Sequence, residues 1–173
     1  MGNEGAQPPA LISKNASDTL HIMADAASKA GAALLAASND RHQLTITEKS
    51  AGDFVSDADH RSEAIIAAHL ERAFPGYGWL GEESAERPSQ IDGLRWIVDP
   101  LDGTSNFLHG IPHFAISIAV QEPRLDGKGW GDVTAGVVYD VIQDATYWAE
   151  KTRGAWLQDA RLRVSARRGL SDA

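Results

Sequence analysis

The chain has 173 residues, enough for one good core and marginal for two domains. It contains no cysteine, so disulfides and thiolate metal sites are excluded and any metal must be held by oxygen or imidazole. Its 24 acidic against 16 basic residues leave a formal charge of -8, which argues against non-specific nucleic-acid binding and calls for bound cations wherever a phosphate is to be held.

Residues 1–17 read as a flexible leader, with Gly2, Gly5, Pro8 and Pro9 and little apolar content. No basic run precedes an apolar core as in a signal peptide, and no apolar stretch is long enough to span a bilayer. The expectation is a cytoplasmic protein with no membrane partner. A helix is predicted from Asp18 to Ala37, where Leu20, Met23, Ala27, Ala30, Leu34 and Leu35 recur at helical spacing behind a Ser17 or Asp18 cap. His42 to Thr47 alternates as a strand does, with Leu44 and Ile46 on one face. A second helix follows Ser56 or Asp57, with Ile66, Leu70 and Phe74 four apart, and Pro75-Gly76 ends it.

Trp79 to Gly81 reads as a short strand, Pro88 to Gly93 as a polar connection, and Arg95 to Val98 as a short buried strand bounded by Asp99-Pro100. A meander is expected beyond, over Phe114 to Val120, Val133 to Tyr139, Ala145 to Ala149, Ala155 to Leu157 and Leu162 to Val164. Arg153-Gly154 and Gln158-Asp159 are its turns. Helices first and strands later predict an α+β fold with helices packed on a largely antiparallel sheet.

Three segments carry the chemistry. In Asp99-Pro100-Leu101-Asp102-Gly103-Thr104, two carboxylates three residues apart follow a buried strand. Pro100 fixes its own φ and pushes Asp99 into an extended conformation, so the chain turns there and can aim both carboxylates and the Leu101 carbonyl at one point. Oxygen ligands of this kind suit Mg²⁺. Gly103 permits close backbone approach, and a helix starting at Thr104 would offer an N–H to a phosphate. A metal-free Asx turn with helix capping accounts for the same residues.

Gly81-Glu82-Glu83-Ser84 either adds a carboxylate to that site or is an acidic surface loop. In the stretch from Lys49 to Asp59, Asp57 and Asp59 either stabilise the start of the second helix or, in the case of Asp59, orient a catalytic hydroxyl or water, with Lys49 adding positive charge. His109 and His113 are four apart, but Pro112 between them disfavours a helix presenting both, and they read as loop residues rather than ligands. Trp96, Trp130, Trp148 and Trp156 read as core or hairpin packing.

In this order, Lys49 with Asp53-Phe54-Val55-Ser56-Asp57-Ala58-Asp59, then Gly81-Glu82-Glu83-Ser84, then Trp96 to Phe107 together resemble the inositol monophosphatase family of lithium-sensitive phosphatases. The resemblance runs from Asp18 onward. It implies the N-terminal part of an inositol monophosphatase/fructose bisphosphatase-like αβαβα sandwich, with residues 18–173 as a metal-binding domain. It implies Mg²⁺ as cofactor, with Glu82, Asp99 and the Leu101 carbonyl on a first ion, and Asp99 and Asp102 on a second.

Thr104 with Asp59 would orient or deprotonate the attacking water. Glu82, Leu101, Asp102, Gly103 and Thr104 would lie against the substrate, while Glu83 and Lys49 would act from behind the ligands. The implied reaction is hydrolysis of a phosphate monoester, myo-inositol monophosphate or a related polyol or sugar phosphate, by a homodimer; the acidic balance adds the expectation of no nucleic-acid partner. Fructose bisphosphatase, histidinol phosphatase and adenosine bisphosphate phosphatase are alternatives, as is a non-catalytic regulatory module retaining the fold.

Two departures stand out. The Lys49-to-Asp53 spacing is one residue short. The aspartate that completes the family's second metal site sits in a Trp-Asp segment, and this sequence has no such dipeptide. The expectation is therefore a C-terminally truncated chain, its C-terminal domain absent and its second site short of a ligand.

Overall fold

The computed structural model describes residues 12–40, 44–50, 53–91, 93–124, 126 and 129–166, and of residues 48–50, 53 and 54 the backbone only. Helix α1 spans Asp18–Asn39, and the Ser17 hydroxyl caps it by accepting the Leu20 N–H. Ala24, Ala26, Ala27 and Ala30 are buried along it, so the backbone lies close to its neighbours. Gly31 marks the tightest approach, because a Cβ there would stand 2.6 Å from the Tyr139 ring.

Strands β1 (Ile46–Ser50) and β2 (Asp53–Ser56) form an antiparallel hairpin that leads directly into α2 (Asp57–Ala73). The remaining strands are β3 (Gly78–Gly81), β4 (Arg95–Asp102), β5 (Ala115–Pro123), β6 (Trp130–Asp140), β7 (Ala145–Glu150), β8 (Gly154–Leu157) and β9 (Ala160–Arg161). They form one sheet in sequence order, with the short helix α3 (Thr104–His109) between β4 and β5. Only the β3–β4 pair is parallel; every other pair in the sheet is antiparallel. The α+β expectation with a largely antiparallel sheet is met.

Helices α1 and α2 pack on each other and on one sheet face, α1 against β5 and β6 and α2 against β4. The alternation explains which residues meet them: Trp96 and Val98 on β4, Ile116, Ile118 and Val120 on β5, and Ala135, Val137 and Tyr139 on β6 are all buried. The Phe74, Tyr77 and Trp96 rings cluster with centroids 5.3–5.6 Å apart below α2, and Trp148 stacks on Trp156 across β7 and β8. Val138 and Tyr147 point the other way and are exposed.

Four local expectations change. The predicted leader is too long at its far end, since Ile12, 1% exposed, and Ala16 belong to the core; residues 1–11 lie outside the described residues. The strand expected over 42–47 begins only at Ile46, which is half exposed, because the β1–β2 hairpin buries Val55 rather than Ile46; 42 and 43 lie outside the described residues.

β4 does not stop before Asp99-Pro100 but runs through it. β3 pairs only as far as Val98, and the β4–β5 register shifts between Asp99 and Asp102, so the missing Pro100 N–H falls at an irregularity where the ladder does not need it. The last strand is Ala160–Arg161 rather than Leu162 to Val164. The turn at Gln158-Asp159 sets Leu157 opposite Ala160 and Trp156 opposite Arg161, and beyond them only the Leu162 N–H continues the pairing, donating to the Ala155 carbonyl at 2.8 Å. No helix among the described residues is long and apolar enough to cross a membrane.

Candidate active site

The N-terminal turn of α2 builds the first wall. Ser56 caps the helix through its hydroxyl, which accepts the Ala58 N–H at 3.2 Å, and its own N–H and hydroxyl donate to Asp59 Oδ2 at 2.9 and 2.7 Å. This capping box fixes Asp59 at 1% exposure, and the other oxygen, Oδ1, accepts the Thr104 hydroxyl at 2.9 Å. One turn further along, the buried Ser62 donates to the Pro100 carbonyl at 2.7 Å, and the buried Glu63 accepts the Glu83 N–H at 2.9 Å. One face of α2 therefore touches all three chemistry-bearing segments.

The β4 turn builds the second wall. Asp99 Oδ1 accepts the Leu101 N–H at 3.1 Å, the Asx turn expected of this sequence. Gly103 follows at φ +95, where a Cβ would be strained and would stand 3.1 Å from the His113 carbonyl, and Thr104 opens α3. The Thr104 hydroxyl also lies 3.0 Å from the Leu101 carbonyl. A single hydroxyl proton cannot fully serve both acceptors, and the carboxylate of Asp59 is the stronger one. The Leu101 carbonyl thus keeps acceptor capacity for another partner.

Glu82 and Glu83 follow β3. The Trp79 indole N–H donates to the Ser84 hydroxyl at 3.0 Å and ties this loop back to the strand. Glu82 reaches Asp99 by a side-chain hydrogen bond. Burial pushes the Asp99 carboxyl above the usual carboxylate range; the hydrogen bonds from Glu82 and the Leu101 N–H pull it back, and the charges of Asp102 and Asp59 push it up again. Carboxyl groups this close repel when both are ionised, and either a proton or a cation between them relieves that repulsion. Among the described residues no lysine, arginine or histidine pairs with Asp59, Asp99 or Asp102.

Oxygen donors short of positive charge fit a hard divalent ion. Among the described residues no three His, Asp or Glu side chains form a metal cluster by themselves; Glu82 meets Asp99 through its side chain, and the Leu101 carbonyl belongs to the Asp99 turn. Asp102 is exposed at the end of β4. With Gly103 it lines a cavity of ≈ 470 Å³ that also meets Asn106, His113, Asp140 and Tyr147. Two larger hollows, ≈ 540 Å³ beside Trp130 and ≈ 660 Å³ beside Lys151, lie away from these carboxylates.

Lys49 lies on β1 with its side chain outside the described residues. His109 closes α3 with its Nδ1 on the Ser105 carbonyl, and His113 is exposed in the following loop. Trp96 and Trp148 are buried, and Trp130 lies under the Arg95 guanidinium at 3.9 Å.

A model of the inositol monophosphatase family matches residues 15–173. The chain belongs to the inositol monophosphatase family. Over 154 residues it is 46% identical to an inositol-1-monophosphatase of Rhizobium meliloti, covering 89% of this chain and 55% of that protein. Over 152 residues it is 38% identical to a protein named Nus factor SuhB in Xylella fastidiosa, with 88% and 52% covered. The solved structure of the extragenic suppressor protein suhB from Bartonella henselae superimposes with a TM-score of 0.81 at 45% identity, covering 88% of this chain and 56% of that one. This family member thus spans about half the length of the curated relatives it matches.

Ser62 and Glu63 went unnoticed in the sequence. Their signal was present as polar residues on the buried face of α2, since Asp59, Ser62, Glu63, Ile66 and Leu70 follow helical spacing along one stripe.

Proposed function

We propose that this chain supplies the first metal site and the water-orienting pair of a magnesium-dependent phosphoric monoester hydrolase. The observation that carries the reading is the Thr104 hydroxyl held by buried Asp59 beside the Leu101 carbonyl and Asp99. In this reading Glu82, Asp99 and the Leu101 carbonyl hold one Mg²⁺, and Asp99 and Asp102 hold part of a second. Bound Mg²⁺ would supply positive charge to the phosphate oxygens and make a water more acidic.

The chain's own residues do the rest. Asp59 accepts the Thr104 proton, so the Thr104 oxygen presents its lone pairs to a water and sets that water's direction of attack. Asp59 is itself held by the Ser56 N–H and hydroxyl, so the pair keeps its geometry without substrate. The backbone at Gly103 and Thr104 would lie against the phosphate, and Glu83 and Lys49 would act from behind the ligands. The cavity at Asp102 falls within the ~300–1,000 Å³ of small-molecule sites and would take the alcohol part of the ester.

The proposed substrate is myo-inositol monophosphate or a related polyol or sugar phosphate, acted on in the cytoplasm by a homodimer. Titration of Mg²⁺ by calorimetry, with phosphate release measured beside it, tests the reading. Asp99→Asn is expected to abolish both, and retention of either overturns it. A second reading has an observation of its own: relatives at 36–38% identity are named Nus factor SuhB. On that reading the fold serves as a regulatory module, and partner binding survives Asp99→Asn.

A further inference from the structure

We propose that Glu63 is a positioning residue that sets the Glu82 end of the metal site. This inference rests on the reading of Glu82 as a ligand. Glu63 sits on α2 one turn beyond Asp59 and is 5% exposed, which is costly for a carboxylate unless donors compensate. Its Oε2 accepts the backbone N–H of Glu83, the residue directly after Glu82.

The fit around this contact is close. A Cβ on Gly81, the residue directly before Glu82, would stand 2.5 Å from Glu63 Oε2 and 2.5 Å from the Trp79 indole nitrogen. Glu82 is thus bracketed: the backbone before it admits no side chain because the Glu63 carboxylate occupies that space, and the backbone after it is hydrogen-bonded to the same oxygen. A surface loop would need neither constraint. The helix that carries Glu63 also carries Asp59, which holds Thr104, and Ser62, which holds the Pro100 carbonyl. A single rigid element therefore sets the spacing between the Glu82 loop and the Asp99 turn, the two segments that must share one ion.

Residues behind a ligand typically affect metal affinity by about 10–100-fold. The experiment is Mn²⁺ binding to the full chain, read by electron paramagnetic resonance, with Glu63→Met and Glu63→Gln beside the unaltered protein. Met keeps the volume and removes the acceptor. Gln keeps a neutral acceptor for the Glu83 N–H and removes the charge.

Glu63→Met is expected to weaken Mn²⁺ binding at least tenfold while circular dichroism stays unchanged, and Glu63→Gln to remain within about threefold of the unaltered chain. Equal affinity in all three overturns the proposal. So does an equal loss in both variants, which would assign the effect to charge instead of position. If Glu63→Met does not fold, Glu63→Ala, which also removes the acceptor, takes its place under the same criteria. Failure of the unaltered chain to bind Mn²⁺ would instead remove the reading of Glu82 and Asp99 as ligands, and the proposal with it.

Discussion

Two groups of carboxylates stand a few residues apart in contact and are treated in opposite ways. On α2, Asp59 and Glu63 are buried, and each is met by donors: the Ser56 N–H and hydroxyl and the Thr104 hydroxyl for one, the Glu83 N–H for the other. At the ends of β3 and β4, Asp99 has one backbone donor and faces Glu82, Asp102 and Asp59, and burial raises it above the ordinary carboxylate range. The first group is arranged to be stable as the fold stands. The second has no lysine, arginine or histidine paired with Asp99 or Asp102 among the described residues, which is the feature the proposed Mg²⁺ site rests on.

The sharpest way to break this comparison is Asp99→Asn. A carboxyl whose folded pKa is raised adds stability below its unfolded pKa, near 4, and that contribution is lost as pH rises through the folded value. Above that value an ionised Asp99 is a cost to the metal-free fold. Asn keeps an oxygen for the Leu101 N–H and is expected to raise the metal-free Tm, while abolishing Mg²⁺ binding in calorimetry. A lower Tm would place Asp99 with the α2 pair.

Next in size is Thr104→Ala in catalytically competent protein. It is expected to lower kcat by roughly 10²–10³ with Mg²⁺ affinity nearly unchanged, as for removal of a group acting on the attacking water. A kinetically silent Thr104→Ala removes its assigned role. Asp59→Ala strands the Ser56 N–H and hydroxyl, leaves the Thr104 hydroxyl only the Leu101 carbonyl, and is expected to cost about 3 kcal/mol in urea unfolding, whether or not metal is present.

Mg²⁺ at about 100 times its Kd is expected to add about 2.7 kcal/mol to stability, read as a rise in Tm. Asp99→Asn should erase that rise.

The smallest effect probes a further satisfied carboxylate. Tyr139 donates to Asp144 at 2.8 Å, and burial followed by that carboxylate pushes the phenol up to about 12 from 10.0. Its contribution to stability is complete below pH 10 and is lost as pH rises from 10 toward 12. Tyr139→Phe should flatten the stability profile across that window, measured by chemical unfolding.

What was readable in the sequence was local. Ser17 and Ser56 mark the helix starts because a cap and a periodic apolar face lie within a few residues of each other. The Asp99-to-Thr104 turn was readable for the same reason, because Pro100 and Gly103 constrain the backbone within one motif. Ser62 and Glu63 were not, since their partners Pro100 and Glu83 lie 38 and 20 residues away and exist as partners only once α2 is docked on the sheet. Ile46 misled because alternation cannot say which strand of a two-stranded hairpin turns its face inward. Pro100 misled because a strand can pass through a proline where the pairing is irregular.

The bond from the Trp79 indole to Ser84 gives this molecule a built-in optical gauge. Trp79 is buried on β3, and its ring nitrogen is fixed to the loop that carries Glu82. Any rearrangement of that loop changes the polarity seen by one indole, so its emission wavelength follows the loop directly. Comparing emission spectra of the unaltered chain and Trp79→Phe isolates that signal from the other four tryptophans. The loop's response to added Mg²⁺ can then be followed by stopped-flow mixing with no added label.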